Sequence, residues 1–391
     1  VRVSLDDPAR PAAPPGAVPP QWVPPRRSTT TRDVLALLAG ALLAVAALAA
    51  LGLVLVEVGV AAGVVGTVLA LVPLAVVLAG IRWLDRWEPE PLGALAFGLL
   101  WGAGVAVLVS LVVNDLTLWT VASATGDLQA GAGAAALVSA PIVEEAAKGA
   151  GVLVLFLARR RYFDGVVDGI VYAGVVAAGF AFTENVLYFG SAGEALAGTF
   201  VMRGLATPFA HLLFTACTGA ALGMAARSRH RGAAWWLFPL GLLGAMVGHG
   251  LWNATNLAAG DAYLVVFAVV QVPLFAGVVG IAVWLRRQES EVIRRRLTEY
   301  GYAGWFAPHE VEMLASLPRR GTAVGWASRT GGPAAADAMR RFQRDATSLA
   351  FLRQQALSGR ADLRRHAESE RDLLAAVTTD RHRVLTASTR P

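Results

Sequence analysis

Eight nearly uninterrupted apolar runs, each close to twenty residues, leave this chain very few folds. They cover residues 34–56, 60–81, 92–113, 134–157, 166–189, 200–224, 234–256 and 262–285. About twenty apolar residues in a helix cross the ~30 Å of a bilayer's hydrocarbon. The first two runs are almost continuous. As one helix they would reach ~72 Å at 1.5 Å per residue, so a break is expected around Glu57–Gly59. A transmembrane barrel would show short alternating strands instead of solid apolar blocks. Only 16% of the residues are charged, against about 25% in a soluble domain. The expected fold is an all-α polytopic membrane protein with about eight transmembrane helices and a cytosolic helical tail, surrounded by the lipid bilayer.

Basic residues set the expected topology. Arg26, Arg27 and Arg32 precede the first run, Arg82 and Arg86 follow the second, and Arg159–Arg161 follow the fourth. Arg227, Arg229 and Arg231 follow the sixth, and Arg286 and Arg287 the eighth. The intervening segments, expected as loops, 57–59, 114–133, 190–199 and 257–261, hold no Lys or Arg. This alternation places both termini in the cytoplasm of a multi-pass cell-membrane protein. It also accounts for the +6 net charge without nucleic acid as a partner. Three regions follow: a Pro-rich, disordered cytosolic arm at 1–32, a transmembrane domain at 33–287, and a polar tail at 288–391. The tail has helix-like stretches near 333–357 and 360–377 and is expected to be partly disordered. Cys217 is the only cysteine, so an intrachain disulfide and a Cys-based zinc site are both excluded. Oligomeric state is not legible.

Charged side chains inside an apolar span cost roughly 2.5–3.5 kcal/mol each, and here they concentrate in four runs. The fourth holds Glu144, Glu145 and Lys148, the only lysine in the chain. The fifth holds Glu184 and Asn185, the sixth His211, and the seventh His249 and Asn253. Counted from the nearest cytosolic charge, Glu145, His211, His249 and Glu184 lie ~21, ~24, ~27 and ~30 Å along their helices. Four helices therefore place ionisable groups in one slab, somewhat beyond mid-membrane. Glu144 and Lys148 share a face at a spacing of four, which leaves Glu145 about 100° away and without that partner.

Two carboxylates, two imidazoles and an amide at one depth suit hydrolysis. Glu is a general base for water, and His and Asn can donate to an oxyanion. His and Glu are also ordinary Zn²⁺ ligands. The zinc-protease helix motif HExxH is absent, so a metal-free glutamate mechanism stays equally open. Taken singly, the residues have plainer explanations: an ion pair for Glu144–Lys148, packing for His211, interhelical hydrogen bonding for Asn253. Their shared depth argues for one site.

The ordered strings EEAAK (144–148), FAFTEN (180–185), HLLF (211–214) and HGLWN (249–253) resemble the motifs of the PrsW family of intramembrane proteases. DRWEPEP (85–91) is similar to that family's acidic, Pro-rich loop. The resemblance spans about 82–285 and implies a membrane-embedded endopeptidase, in a superfamily with type II CAAX prenyl proteases and bacteriocin-immunity proteins. Those relatives usually carry FxxxH as the second motif. Glu184 stands at the corresponding place here, which argues against a prenyl-protein substrate. By that resemblance the substrate is another membrane protein, in anti-sigma-factor-like regulated proteolysis. Glu144 or Glu145 would activate water. His211 and Glu184 would assist or bind metal, with His249 completing a set of Glu184, His211 and His249. His249 and Asn253 would otherwise stabilise the oxyanion. Lys148 would neutralise one glutamate, and Asn185 would orient Glu184. The competing readings are a proton-coupled transporter, since Glu/His chains relay protons, a CAAX-type prenyl protease, and a non-catalytic membrane sensor.

Overall fold

The computed structural model describes residues 31–160, 163, 165–228, 230, 232–357 and 363–388. It separates into two units, 1–39 and 40–391. Of the first, only the start of helix α1 is described. The expected arm up to residue 30, and Arg161, Arg229 and Arg231, lie outside the described residues.

Every regular element among the described residues is helical. In chain order these are α1 (Thr31–Val58), α2 (Val60–Leu84), α3 (Leu92–Leu100), α4 (Val107–Thr125), α5 (Leu128–Ala134), α6 (Ala140–Ala158), α7 (Val166–Ser191) and α8 (Leu196–Thr199). They continue with α9 (Ala210–Arg227), α10 (Ala233–Ala259), α11 (Tyr263–Val266), α12 (Val272–Tyr302), α13 (Pro308–Leu314), α14 (Leu317–Leu357) and α15 (Leu363–Ser388). π-Helical segments join α3 to α4, α5 to α6, and α11 to α12. A fourth, Phe200–Ala206, lies between α8 and α9.

The expected break between the first two runs falls at Gly59, whose φ of 84° suits a residue without a Cβ. Among the described residues, seven helical stretches are long and apolar enough to cross a membrane: Val34–Val58, Val60–Leu84, Leu92–Thr125, Val166–Ser191, Gly193–Arg227, Ala233–Ala259 and Tyr263–Tyr302. The expectation was eight. The eighth, the fourth run, is helical through α5 and α6 and is set apart by its three charged residues, Glu144, Glu145 and Lys148. The chain is thus an all-α, multi-pass membrane protein. The 114–133 segment, expected as a loop, is mostly helix: α4 runs to Thr125, and α5 starts at Leu128. Asp127 caps α5, its Oδ1 accepting from the Gln129 amide at 2.8 Å. Asn114 and Asp115 therefore sit on a helix, and not in a loop.

Helix α7 is the most buried of the seven stretches. Small residues make that possible. A Cβ at Gly169 would run into the carbonyl of Gly219 on α9, and one at Gly219 into the carbonyl of Gly169. The backbones of α7 and α9 touch there, which fixes the spacing between Glu184 on α7 and His211 on α9.

The tail is more ordered than its polarity implies. α12 passes residue 287 without a break. α14 starts earlier than expected and bends at Gly332 (φ 70°) before Pro333, and α15 runs on to Ser388. Its core contains Ile293, Leu297, Leu314, Phe342, Leu349 and Val377. It also contains Trp87 from the 85–91 loop, over whose ring Arg320 lies at 4.7 Å.

Candidate active site

A cavity of about 460 Å³ opens among α4, α6, α7, α9 and α10. Its walls include Glu144, Glu184, Asn185, His211, His249 and Asn253. Six of the eight residues singled out from sequence thus face one space. The other two, Glu145 and Lys148, lie directly behind it, both with 0% exposure.

The two glutamates of α6 differ sharply. Glu145 is saturated with donors. Its Oε1 accepts from Lys148 Nζ at 2.6 Å and pairs with His249 Nδ1 at 3.1 Å, while its Oε2 accepts from the Thr215 hydroxyl at 2.9 Å. Glu144 is 5% exposed. Its Oε1 accepts weakly from Asn114 Nδ2 at 3.4 Å, and its buried Oε2 accepts no hydrogen bond among the described residues. Lys148 Nζ is 3.6 Å from that atom. The expectation that Glu145 lacks a lysine partner is therefore corrected. Lys148 stands 60° from Glu145 and 40° from Glu144 around a helix of 100° per residue, so one flexible stem reaches both.

The histidine tautomers follow from their partners. Lys148 has only donors, so His211 Nδ1, at 3.2 Å, accepts, and Nε2 donates to Glu184 Oε2 at 2.7 Å. His249 Nδ1–H donates to Glu145, leaving the Nε2 lone pair for another partner. Phe214 stacks on the His249 ring at 5.0 Å, and Lys148 lies 4.2 Å from the Phe180 ring centre, a cation–π contact that offsets part of its burial.

Glu184 is tied elsewhere. Arg203 pairs with its carboxylate, donates from Nε to Asn185 Oδ1 at 2.9 Å and stacks over Tyr188 at 3.7 Å. Asn185 and Glu184 are thus linked through Arg203. Asn253 Nδ2 donates to the Ala136 carbonyl at 2.9 Å, which bonds α10 to the segment before α6.

Sequence reasoning did not place Arg203, Asn114, Ser139 or Thr215 in the site. Ser139 donates to Asn114 Oδ1 at 2.7 Å, which turns the Asn114 amide nitrogen toward Glu144. Arg203 and the Asn114–Asp115 pair could have been found as polar residues inside apolar helices. Thr215 carried no signal, because threonine is common in such helices.

Glu144, His211 and His249 each offer a ligand atom, all within 4.8 Å of one another. This group contains Glu144 where the sequence reading placed Glu184. One carboxylate and two imidazoles are a normal zinc donor set, and the unbonded Glu144 Oε2 is what a cation would satisfy. His211 also has the carboxylate–histidine backing typical of metal ligands. The residues fit a metal ion.

Residues 90–278 match the family model described as PrsW family intramembrane metalloprotease. This region is similar to the PrsW family. Two proteins named Protease PrsW are similar to it. The one from Clostridioides difficile (strain 630) is 32% identical over 152 residues, covering 39% of this chain and 62% of the relative. The one from Geobacillus kaustophilus (strain HTA426) is 34% identical over 141 residues, covering 36% and 58%. The chain thus spans less than two thirds of either relative's length. No solved structure matches. The matched region contains all eight sequence-derived candidates and leaves out α1, α2 and the tail.

Proposed function

We propose that the chain is an intramembrane endopeptidase that hydrolyses a peptide bond of another membrane protein. The observation that carries this reading is a cavity within the helices whose wall presents a buried carboxylate oxygen without a hydrogen bond, Glu144 Oε2, beside two imidazoles. Water held there would give a proton to Glu144 as its oxygen attacks the substrate carbonyl. Glu144 would then return that proton to the departing amine. Glu145 holds His249 in the tautomer that keeps Nε2 open. The oxyanion would be met by the Asn185 amide, whose oxygen is held by Arg203 and whose nitrogen remains as the donor.

The same cavity supports a zinc-dependent version. Glu144, His211 and His249 would hold the ion, which supplies Lewis-acid activation of water when bound. Lys148 and Glu184 then serve as neighbours that set ligand charge and ring orientation. On the topology expected from the basic clusters, both termini would lie in the cytoplasm and the cavity would open toward the opposite face. The substrate bond would lie near the outer end of a single-span protein, as in anti-sigma-factor-like regulated proteolysis.

The test is cleavage of a single-span protein by the purified full chain in lipid vesicles, with and without a strong zinc chelator. Loss with chelator and recovery on adding Zn²⁺ support the metal version, and undiminished cleavage supports the glutamate version. No cleavage of any single-span protein, with Zn²⁺ supplied, overturns the assignment.

A further inference from the structure

The cavity's charges are lopsided. Its walls contain four carboxylates, Glu57, Asp115, Glu144 and Glu184, and, among the described residues, one Lys or Arg, Arg203. That arginine is committed to Glu184 and Asn185. Glu57 and Asp115 are exposed, which places them where the cavity meets the surface, and neither meets a basic side chain among the described residues. The helix ends on that side carry no Lys or Arg in 57–59, 114–133 or 190–199. They add further exposed acids, Asp127 and Glu194. Inside, Asp115 directly follows Asn114, whose amide reaches Glu144, and the buried Glu144 Oε2 awaits a partner.

We propose that the acidic mouth formed by Glu57 and Asp115 selects substrate segments that carry Lys or Arg just beyond the end of their span. This deepens the endopeptidase reading and rests on it. A cleft lined with one sign of charge and low-dielectric walls focuses its field and raises the encounter rate of the opposite charge. Like charge brought to the same mouth is rejected. The positive-inside rule makes basic residues uncommon at the outer flank of a span, so this preference would admit few bystanders. The peptide's cation would sit between Glu57 and Asp115, with the bond to be cut further in, toward Glu144.

The probes are two synthetic single-span peptides with the same apolar segment, one ending in Lys-Lys and the other in Glu-Glu at the flank that meets the mouth. Both are given to the full chain in zwitterionic nanodiscs, and both affinity and cleavage are read. The Lys-Lys peptide should have a kcat/KM about tenfold higher at low ionic strength. That advantage should shrink at about 0.5 M salt, where screening acts over only a few Å. Glu57→Lys with Asp115→Lys should invert the preference, and Glu57→Gln with Asp115→Asn should abolish it at unchanged expression. Equal affinity and equal kcat/KM for both peptides, or a preference that survives the double reversal, overturns the inference. Tighter Lys-Lys binding with no cleavage of either peptide removes the endopeptidase reading and leaves the selective mouth standing. Equal cleavage of both does the opposite.

Discussion

Lys148 is closer to Glu145 than to Glu144: its Nζ lies 2.6 Å from Glu145 Oε1 and 3.6 Å from Glu144 Oε2. One cation thus divides two adjacent carboxylates into a held member and a free one. That division gives the tandem glutamates different work.

Glu144→Gln should leave the protein folded, because the atom changed accepts no hydrogen bond. Cleavage should fall about 10²–10⁴-fold, the usual worth of a general base. Glu145→Gln should instead cost stability, on the order of 3–5 kcal/mol, because it leaves Lys148 short of its nearest charge in a buried site. Cleavage rates and thermal melting in detergent separate the two. Wild-type cleavage by Glu144→Gln would remove it from the chemistry.

Lys148→Met should impair cleavage strongly, and Lys148→Arg should restore it only in part. The ammonium meets Glu145, Glu144 and His211 Nδ1 from one point, whereas a guanidinium is a rigid planar fork. Initial rates across pH at matched membrane levels report this. Full recovery with Arg would reduce Lys148 to a structural cation.

Gly169→Val should push α7 from α9, where the backbones touch. Overpacking of this kind costs typically 1–3 kcal/mol. Because the Glu184–His211 contact spans the same two helices, activity should fall further than stability. Comparing melting midpoints with kcat for this variant and for Gly40→Val, where a Cβ meets nothing within 4 Å, checks it.

Much of this site was legible because charge inside apolar helices is costly. Glu144, Glu145, Lys148, Glu184, His211 and His249 announced themselves by their setting, and helical spacing placed them at one depth. The rotation of α6 was not legible. A hundred-degree rule put Lys148 with Glu144 alone, whereas a long side chain covers the 60° offset to Glu145 as well. Asn114 and Asp115 were lost to a helix end drawn twelve residues early, since the apolar run stops at Val113 and the helix at Thr125. In the tail, alanine-rich amphipathic helices hide their core from composition alone.

A reporter active only outside the cytoplasm should give signal when fused after residue 125 and none after residue 160. The basic clusters require this order. The reverse pattern would turn the cavity mouth toward the cytoplasm.

Burial pushes the Asp85 carboxyl up from 3.8 to about 6, with the Glu90 amide and Arg82 opposing. The folded form then holds its proton more tightly than the unfolded chain. Its contribution to stability is complete below the unfolded value and is lost as pH rises through the folded one. The melting midpoint of wild type relative to Asp85→Asn should therefore fall between about pH 4 and about pH 7. A pH-independent difference would count against it.

Trp87 belongs by sequence to a loop after the second helix and by packing to the tail. Its companions there run from Ile293 to Val384, so a ribosome adding about 5–20 residues per second makes the last of them some 15–60 s later. Through that interval the indole has no core to enter, and the 85–91 loop stands in its unfinished form. The face of the membrane domain that carries the 85–91 loop is therefore completed last, by the helices that follow residue 287.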